Sequence, residues 1–318
     1  MRKKVLSLLA VSVLAIGMLV GCGNSSDKAG DTTQSTDTIT ITDAKGEVEI
    51  PANPQRIVDL SGNSDMLSVL GYKVVGTANS DAYDYTKFPS YLETVLSGAK
   101  ILGYSMQDTM DVEGILELDP DLIIISSVQE KMYDQLKEIA PTVIVQLAQT
   151  NWRDDIETFA KLFKKEDVAN EWLADYDKKA KEVGESVKKT YGEDTTYLAM
   201  LASGGQLYVF DAAGIGSILY EDMGLKKPAN MPEQENISLP VISYEGLAEI
   251  DADYMFVVGT DEDLQALHES SIYQGMRAVK EGNVMELPAS PYFNMGYSCI
   301  GRQVFLDEVE QLMESRNE

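Results

Sequence analysis

The sequence has few of the residues from which metal sites and disulfide frameworks are built. Among its 318 residues there is one histidine, His268, and there are two cysteines, Cys22 and Cys299. A single histidine excludes metal centres that depend on several imidazole ligands. Two cysteines cannot supply a framework of paired bridges. The chain is long enough for one large domain or for two of ordinary size.

Basic residues are also scarce. The chain has 26 Lys and Arg residues against 52 Asp and Glu residues, which gives a formal net charge of −26. A surface this acidic repels phosphate backbones, so no nucleic acid is expected as a partner. Hydrophobic residues make up 44% of the chain and charged residues 25%. This composition is typical of globular proteins and not of disordered or multispanning membrane proteins.

The first 21 residues have the pattern of an export signal. Arg2, Lys3 and Lys4 precede an apolar run over residues 5–20, which is shorter than the roughly 20 residues of a membrane span. The run ends in Leu-Val-Gly-Cys and looks like a bacterial lipobox, in which the cysteine is lipidated after cleavage. We therefore predict that Cys22 anchors the protein in the cell membrane, on its extracytoplasmic face. The alternative is a plain secretory signal in which this cysteine has no role.

The residues after the proposed cleavage site cannot form a core. Residues 22–37 consist mainly of Ser, Thr, Asp and Gly, with no large apolar side chain. This composition predicts a flexible tether that holds the folded part away from a membrane.

Beyond Thr38, short apolar runs alternate with helical patterns. Several runs are continuously apolar, which is typical of parallel strands buried on both faces. The alternation predicts an α/β fold. The candidate strands are Arg56–Leu60, Val74–Thr77, Asp121–Ser126, Thr142–Val145, Thr196–Ala202, Gln206–Phe210, Tyr254–Val258 and Asn283–Leu287.

Residues 151–191 contain no strand pattern. In their second part, apolar residues recur at intervals of three or four, which predicts a helix of about seven turns. Such a helix between two α/β halves indicates a rigid connector, and an ordinary amphipathic helix within one domain is the alternative. The apolar stripe consists of Val168, Trp172, Tyr176, Ala180, Val183 and Val187.

An internal repeat divides the chain into two similar halves. Residues 111–125 and 243–257 share two Glu, one Gly and two Asp at an offset of 132 positions, and both read as a short helix, a turn and a buried strand. Repeated units on either side of a long helix predict two lobes, although two βα units can also match by chance. We predict an N-terminal lobe over 38–150, a helical connector over 151–191 and a C-terminal lobe over 192–318. A cleft between lobes is the usual place for a small ligand.

Four segments carry a family resemblance: Pro54–Val58, Val112–Ile123, Ser243–Leu247 and Val279–Val284. Their order and spacing resemble the substrate-binding proteins of bacterial ABC importers, in the helical-backbone class (class III) for ferric siderophores, haem and cobalamin. The resemblance covers residues 38–318, with the family's binding domain from about residue 55 onward. It implies two Rossmann-like lobes with central sheets, one long backbone helix that joins them, and a ligand cleft between the lobes.

The resemblance also implies partners. A monomeric binding protein would deliver its ligand to an ABC permease dimer and the attached ATPase. In the family one Glu on each lobe docks on basic pockets of the permease, and Glu113 and Glu245 occupy the matching positions. The alternative is that both are ordinary solvated helix residues. Glu117 and Glu249 are also equivalent in the repeat but match the family pattern less well.

The loops after the predicted strands are rich in Tyr, Trp, Phe and Met. Such side chains pack against a bulky chelate and still offer polar atoms, although each of them could instead cover the end of a sheet. No metal ligand and no built-in cofactor are expected, because the resemblance implies that the ligand is a pre-formed iron chelate. The candidate ligand-binding residues are Tyr83, Tyr85, Tyr104, Met106, Trp152, Arg153, Tyr208, Tyr292, Phe293, Asn294 and Tyr297.

Few basic residues accompany these aromatics. The loops offer mainly Arg153, with Arg302 nearby. Anionic siderophores favour clusters of Arg or Lys, so a neutral or cationic ferric hydroxamate fits better. Haem is an alternative, because Tyr104 and Met106 stand where some haem-binding relatives place an iron ligand, and cobalamin is another. A surface-anchored α/β enzyme, for which no catalytic motif is evident, and an adhesion or signalling module are distant alternatives.

Overall fold

The computed structural model describes residues 37–147, 151–236 and 238–315. The predicted signal peptide, the lipobox Cys22 and all but the last residue of the predicted tether lie outside the described residues. Within these ranges, no helix combines the length and the apolar character that crossing a bilayer requires.

The described chain starts with a β-hairpin that the sequence analysis missed. Strands β1 (Thr38–Asp43) and β2 (Gly46–Pro51) pair antiparallel. Their side chains alternate between the exposed and the covered face, and Ile50 on the covered face is fully buried. The run was missed because half of its residues are polar, whereas the predicted strands were found by their continuous apolar character.

The first half of the chain is built on a parallel five-stranded sheet. In space its strands follow the order β5-β4-β3-β6-β7. The central strands are buried on both faces, as their apolar runs predict. The strands are β3 (Ile57–Asp59), β4 (Val74–Thr77), β5 (Lys100–Ile101), β6 (Leu122–Ser126) and β7 (Thr142–Val145), and the helices are α1 (Ser64–Val69), α2 (Val112–Glu117) and α3 (Tyr133–Leu136).

The second half has a mixed five-stranded sheet. Its strands are β8 (Tyr197–Ser203), β9 (Gln206–Val209), β10 (Val241–Ile242), β11 (Tyr254–Gly259) and β12 (Val284–Pro288). Their order is β10-β9-β8-β11-β12; β8, β11 and β12 run parallel, and β9 pairs antiparallel with both β8 and the edge strand β10.

The antiparallel part of this sheet begins at a two-residue turn. Gly204 and Gly205 join β8 to β9 with φ values of 58° and 76°. Both values lie in the left-handed region that tight hairpin turns require and that glycine adopts without strain.

The helices of the second half cover its sheet. The chain forms a π-helical turn over Ile218–Asp222 directly after α6. The helices are α6 (Gly214–Ser217), α7 (Tyr244–Ala248), α8 (Asp261–His268), α9 (Ser271–Gly275), α10 (Arg277–Lys280), α11 (Ala289–Met295) and α12 (Cys299–Ser315).

Two helices join the halves. Helix α4 (Trp152–Phe163) ends at Lys164, whose φ of 54° breaks the helix, and α5 (Glu166–Tyr191) continues for 26 residues. The long helix is therefore confirmed, but the predicted apolar stripe was wrong at its first position. Val168 is 39% exposed and the neighbouring Ala169 is buried in its place.

The connector is packed tightly against the second half. A Cβ atom on Gly184 of α5 would lie 2.0 Å from the carbonyl oxygen of Met223, so only glycine fits there. One apolar core extends from the first sheet through α4 and α5 to the second sheet. The two halves are thus held by a shared core as well as by the chain that joins them.

The repeated segments have the same local structure. Helix α2 leads into β6, and α7 leads into β11. The side chain of Asp111 accepts a hydrogen bond from the backbone N–H of Gly114 (2.9 Å), and Ser243 accepts one from Gly246 (3.1 Å). Both caps stand at the same position of the repeat, which confirms that each copy is a helix, a turn and a strand.

Candidate functional site

A cavity of about 300 Å³ lies between the two halves. Several of its residues directly follow the carboxyl ends of strands, where ligands bind in α/β sheets. The first half supplies Ser61, Gly62, Asn63, Asn79, Ser80, Pro89, Tyr91, Leu92, Tyr104, Ser105, Met106 and Leu147; the connector supplies Trp152 and Asp155; and the second half supplies Ala212, Ala213, Leu239, Phe293, Asn294, Gly296, Tyr297, Ser298 and Arg302.

The polar wall of the cavity is held in place by a buried carboxylate. Asp59, at the end of β3, is fully buried and accepts hydrogen bonds from the hydroxyls of Ser61 and Ser64 (2.6 Å each). It also accepts one from the backbone N–H of Asn63 at 3.1 Å. Burial raises the pKa of the Asp59 carboxyl although these donors act in the opposite direction. The loop after β3 therefore presents its hydroxyl and amide groups from a fixed backbone.

Aromatic rings form the opposite wall and the rim. Tyr85 stacks on Tyr104 with ring centroids 4.7 Å apart, and Tyr83 meets Phe293 edge to face at 5.8 Å. Phe293 in turn lies 6.0 Å from the ring of Tyr297. Burial raises the pKa of the Tyr104 hydroxyl, although the side chain of Asn294 acts in the opposite direction. The wall can therefore pack against a large ligand and offer neutral polar groups.

The connector closes a third side with Trp152. Two guanidinium groups lie close to its ring, that of Arg153 at 4.4 Å and that of Arg302 at 4.9 Å from the ring centroid. Tyr176 of α5 meets the same ring edge to face at 5.0 Å. These contacts fix the indole at the cavity wall.

Both arginines beside Trp152 are paired with one buried carboxylate. Asp222 accepts hydrogen bonds from Arg302 Nη1 (2.6 Å), Arg153 Nη1 (3.0 Å) and the Tyr176 hydroxyl (2.6 Å). Arg153 also pairs with Asp177 on the outer face of α5. Arg302 is the only basic residue among the described lining residues, and its charge is balanced by Asp222. The cavity therefore offers little uncompensated positive charge.

Six of the predicted ligand-binding residues line this cavity, and five do not. Tyr83 and Tyr85 stand on its rim, in contact with lining residues. Tyr208 donates a hydrogen bond to Gln206 on strand β9 at 2.6 Å. The lining residues among the predictions are Tyr104, Met106, Trp152, Phe293, Asn294 and Tyr297.

The remaining two predicted residues have other partners. The guanidinium of Arg153 is engaged by Asp177 and Asp222, and Arg153 is not among the lining residues. Tyr292 is buried in the shared core. Burial and the nearby carboxylate of Glu308 raise the pKa of its hydroxyl. Ligand contact by the residues outside the lining stays a prediction.

Several lining residues were not among the predictions. Tyr91 and Leu239 lie far along the chain from the strands that precede them, and Asp155 lies inside helix α4. Ser61 and Asn63 belong to the loop after β3, which the rule that ligands bind beyond the carboxyl ends of strands identifies as a candidate.

The two glutamates predicted to dock on a permease occupy matching places. Glu113 and Glu245 are exposed and lie in the first turns of α2 and α7. The equivalent caps described above orient the two helix starts alike. Each half thus presents one carboxylate in the same local setting.

Comparison with known proteins gives consistent matches. A model of the family described as "Periplasmic binding protein" matches residues 61–291. The iron(3+)-hydroxamate-binding protein FhuD of Bacillus subtilis is 33% identical, with 93% of this chain and 95% of FhuD covered. YfiY of the same organism, named as a probable siderophore-binding lipoprotein, is 31% identical, with 97% and 98% covered.

A solved structure shows the same architecture. It is a FhuD fold-family protein of Bacillus subtilis, described as the periplasmic binding protein component of a Fep/Fec-like ferrichrome ABC transporter. It is 28% identical, with a TM-score of 0.70, and the alignment covers 86% of this chain and 100% of that one. The resemblance inferred from the four sequence segments is confirmed. This chain belongs to the periplasmic binding protein family, in the group with the FhuD fold, whose members bind solutes and are not enzymes.

Proposed function

We propose that this protein is the extracytoplasmic solute-binding component of an ABC importer, and that it captures a ferric siderophore and delivers it to the permease. The observation that carries the proposal is the cavity between the halves, which combines aromatic rings with neutral amide and hydroxyl groups. Such a surface can enclose a bulky chelate without bonding its iron. The names of the relatives FhuD and YfiY support the same ligand class.

The charge of the cavity favours a neutral or cationic ferric hydroxamate. Arg302 is neutralised by Asp222, and Asp155 adds a carboxyl group to the lining. A carboxylate or catecholate siderophore would bring several negative charges to a site with no free cation among the described lining residues, which is unfavourable. The propionates of haem meet the same obstacle.

Fluorescence of Trp152 tests this proposal. We expect ferrichrome, a neutral ferric hydroxamate, and ferrioxamine B, a cationic one, to quench the protein's emission, because Trp152 lies in the cavity wall. Trp172, with its ring centroid 6.0 Å from that of Trp152, is the matched control. Trp172→Phe should retain most of the quenching and Trp152→Phe should lose it. Saturable binding of haem or cobalamin, with no response to either hydroxamate, would contradict the proposal.

We further propose that Cys22 is lipidated and holds the protein at the outer face of the cell membrane. Cys22→Ala should move the protein from the membrane fraction to the medium or periplasm, because at least two acyl chains are needed for stable anchoring. Fractionation followed by immunoblotting measures this. Cys299→Ala is the matched control, since that thiol is buried in the fold and should have no effect on location. Retention of the Cys22→Ala protein in membranes would show a different anchor.

A further inference from the structure

One segment of the second half forms much of the cavity wall. Residues 290–298 run from the end of β12 to the start of α12, and Phe293, Asn294 and Tyr297 within them line the cavity. The segment therefore determines where one aromatic wall stands relative to the first half.

Both ends of this segment are hydrogen-bonded to carboxylates of the first half. The hydroxyl of Ser290 donates to Asp81, and the hydroxyl of Ser298 donates to Asp65 Oδ2 at 2.6 Å. The thiol of the adjacent Cys299 lies 3.2 Å from the same oxygen of Asp65. The two bonds stand at opposite ends of the cavity-lining residues.

The middle of the segment is tied to the first half as well. The backbone N–H of Ala82 donates to Asn294 Oδ1 at 3.1 Å. The loop around Asp81 thus bonds to the segment at two points.

The carboxylates of Asp65 and Asp81 are buried, so the hydrogen bonds from Ser298 and Ser290 replace hydration that these groups have lost. Asp81 is 0% exposed and Asp65 is 1% exposed. Neither forms an ion pair with a described Lys or Arg residue. A buried carboxylate without a cation depends on hydrogen-bond donors to offset its lost hydration. For Asp65 the described donors, Ser298 and Cys299, both belong to the second half.

We propose that Asp65 and Asp81 are positioning residues of the ligand site, which clamp the two ends of residues 290–298 and thereby set the place of Phe293, Asn294 and Tyr297. Neither aspartate lines the cavity. The clamp acts through the segment and not by contact with the chelate. This inference rests on the proposed function, because it assigns the clamp a role in binding a ligand in this cavity.

Hydrogen exchange and binding of ferrichrome together test the clamp. In the ligand-free protein, Asp65→Asn and Asp81→Asn should each accelerate amide exchange within residues 290–298 more than elsewhere. Each should also weaken ferrichrome binding about tenfold, the size expected for a hydrogen bond to a charged group. Asp253→Asn is the control, since Asp253 accepts a bond from the Thr196 hydroxyl (2.8 Å) within the second half and does not line the cavity.

A milder pair of variants covers the case in which an aspartate variant does not fold. Ser290→Ala removes the donor to Asp81 and should weaken ferrichrome binding by a similar factor. Ser290→Thr keeps a hydroxyl and should restore affinity to within about threefold of the wild type. If Ser290 has a merely structural role, Ser290→Ala lowers the free energy of unfolding, and Ser290→Thr does not restore the affinity for ferrichrome.

A failure of the proposed function and a failure of the clamp give different results in these experiments. A wild-type protein that binds no ferric hydroxamate contradicts the proposed function, while the exchange data still decide whether the aspartates clamp the segment. Folded aspartate variants with unchanged exchange in residues 290–298, or with acceleration spread evenly over the protein, overturn the clamp. Unchanged ferrichrome affinity in these variants overturns its role in positioning the site.

Discussion

Replacing Glu113 and Glu245 together with alanine is expected to abolish uptake of the ferric siderophore into cells, while the affinity of the isolated protein for it changes by less than about threefold. The two carboxylates are exposed on matching helices, one in each half, and neither lines the cavity. Charges presented in this paired way can fix the orientation of the protein on a permease with two-fold symmetry. Uptake of iron-55 ferrichrome and a binding titration of the same variant measure the two effects.

The repeat provides a matched control for this experiment. Glu117 and Glu249 are also exposed and equivalent in the repeat. The carboxylate of Glu117 pairs with Lys100 at 2.9 Å, so that part of its charge is already compensated. The Glu117→Ala, Glu249→Ala variant should therefore transport at close to the wild-type rate. Equal loss of uptake in both double variants would indicate a general effect of surface charge, and a parallel loss of affinity would place Glu113 and Glu245 in the binding site.

The main strands and the long helix were predictable because their patterns are local. Strand β6 is apolar over its first four residues, and α5 repeats its apolar residues at helical intervals. Strands β5 and β10 have two residues each, too few for any periodicity to be read. Val168 was misplaced because it lies in the first turn of α5, where the neighbouring Ala169 faces the core instead.

The site was less predictable because its walls come from distant parts of the chain. The loop that contains Tyr104 and Met106 could be found from the strand before it, but nothing local shows that Tyr91 or Leu239 lines the same cavity. Arg153 shows the same limit. Its guanidinium is held by Asp177 and Asp222, which lie 24 and 69 positions away in sequence, and no local pattern indicates these partners.

Removing the charge of Asp222 is expected to lower the free energy of unfolding more than removing any other single charge. Its side chain is 1% exposed and that of Arg302 is 4% exposed. Asp222→Asn leaves Arg302 buried without a counter-charge and weakens the bonds to Arg153 and Tyr176. Breaking a buried ion pair in this way typically costs about 3–5 kcal/mol. Urea denaturation should show a loss of this size in the free energy of unfolding.

Two further variants separate the buried pair from general effects. Asp177→Asn removes the exposed partner of Arg153 and should cost about 0–1 kcal/mol, as surface pairs do. The double variant Asp222→Asn, Arg302→Gln should be more stable than the sum of the two single changes predicts, because no unpaired charge is left inside. A cost for Asp222→Asn no larger than that for Asp177→Asn would show that the arginines are solvated in solution.

The same substitution tests the proposed preference of the cavity for neutral or cationic chelates over anionic ones. In a folded Asp222→Asn protein, Arg302 would present an uncompensated positive charge to the cavity that it lines. Affinity for an anionic ferric carboxylate chelate should then rise relative to affinity for ferrichrome, because opposite charges attract strongly where water is excluded. Titration of the wild type and the variant with both chelates gives the ratio. An unchanged ratio would mean that Asp222 stabilises the fold without setting the charge selectivity of the site.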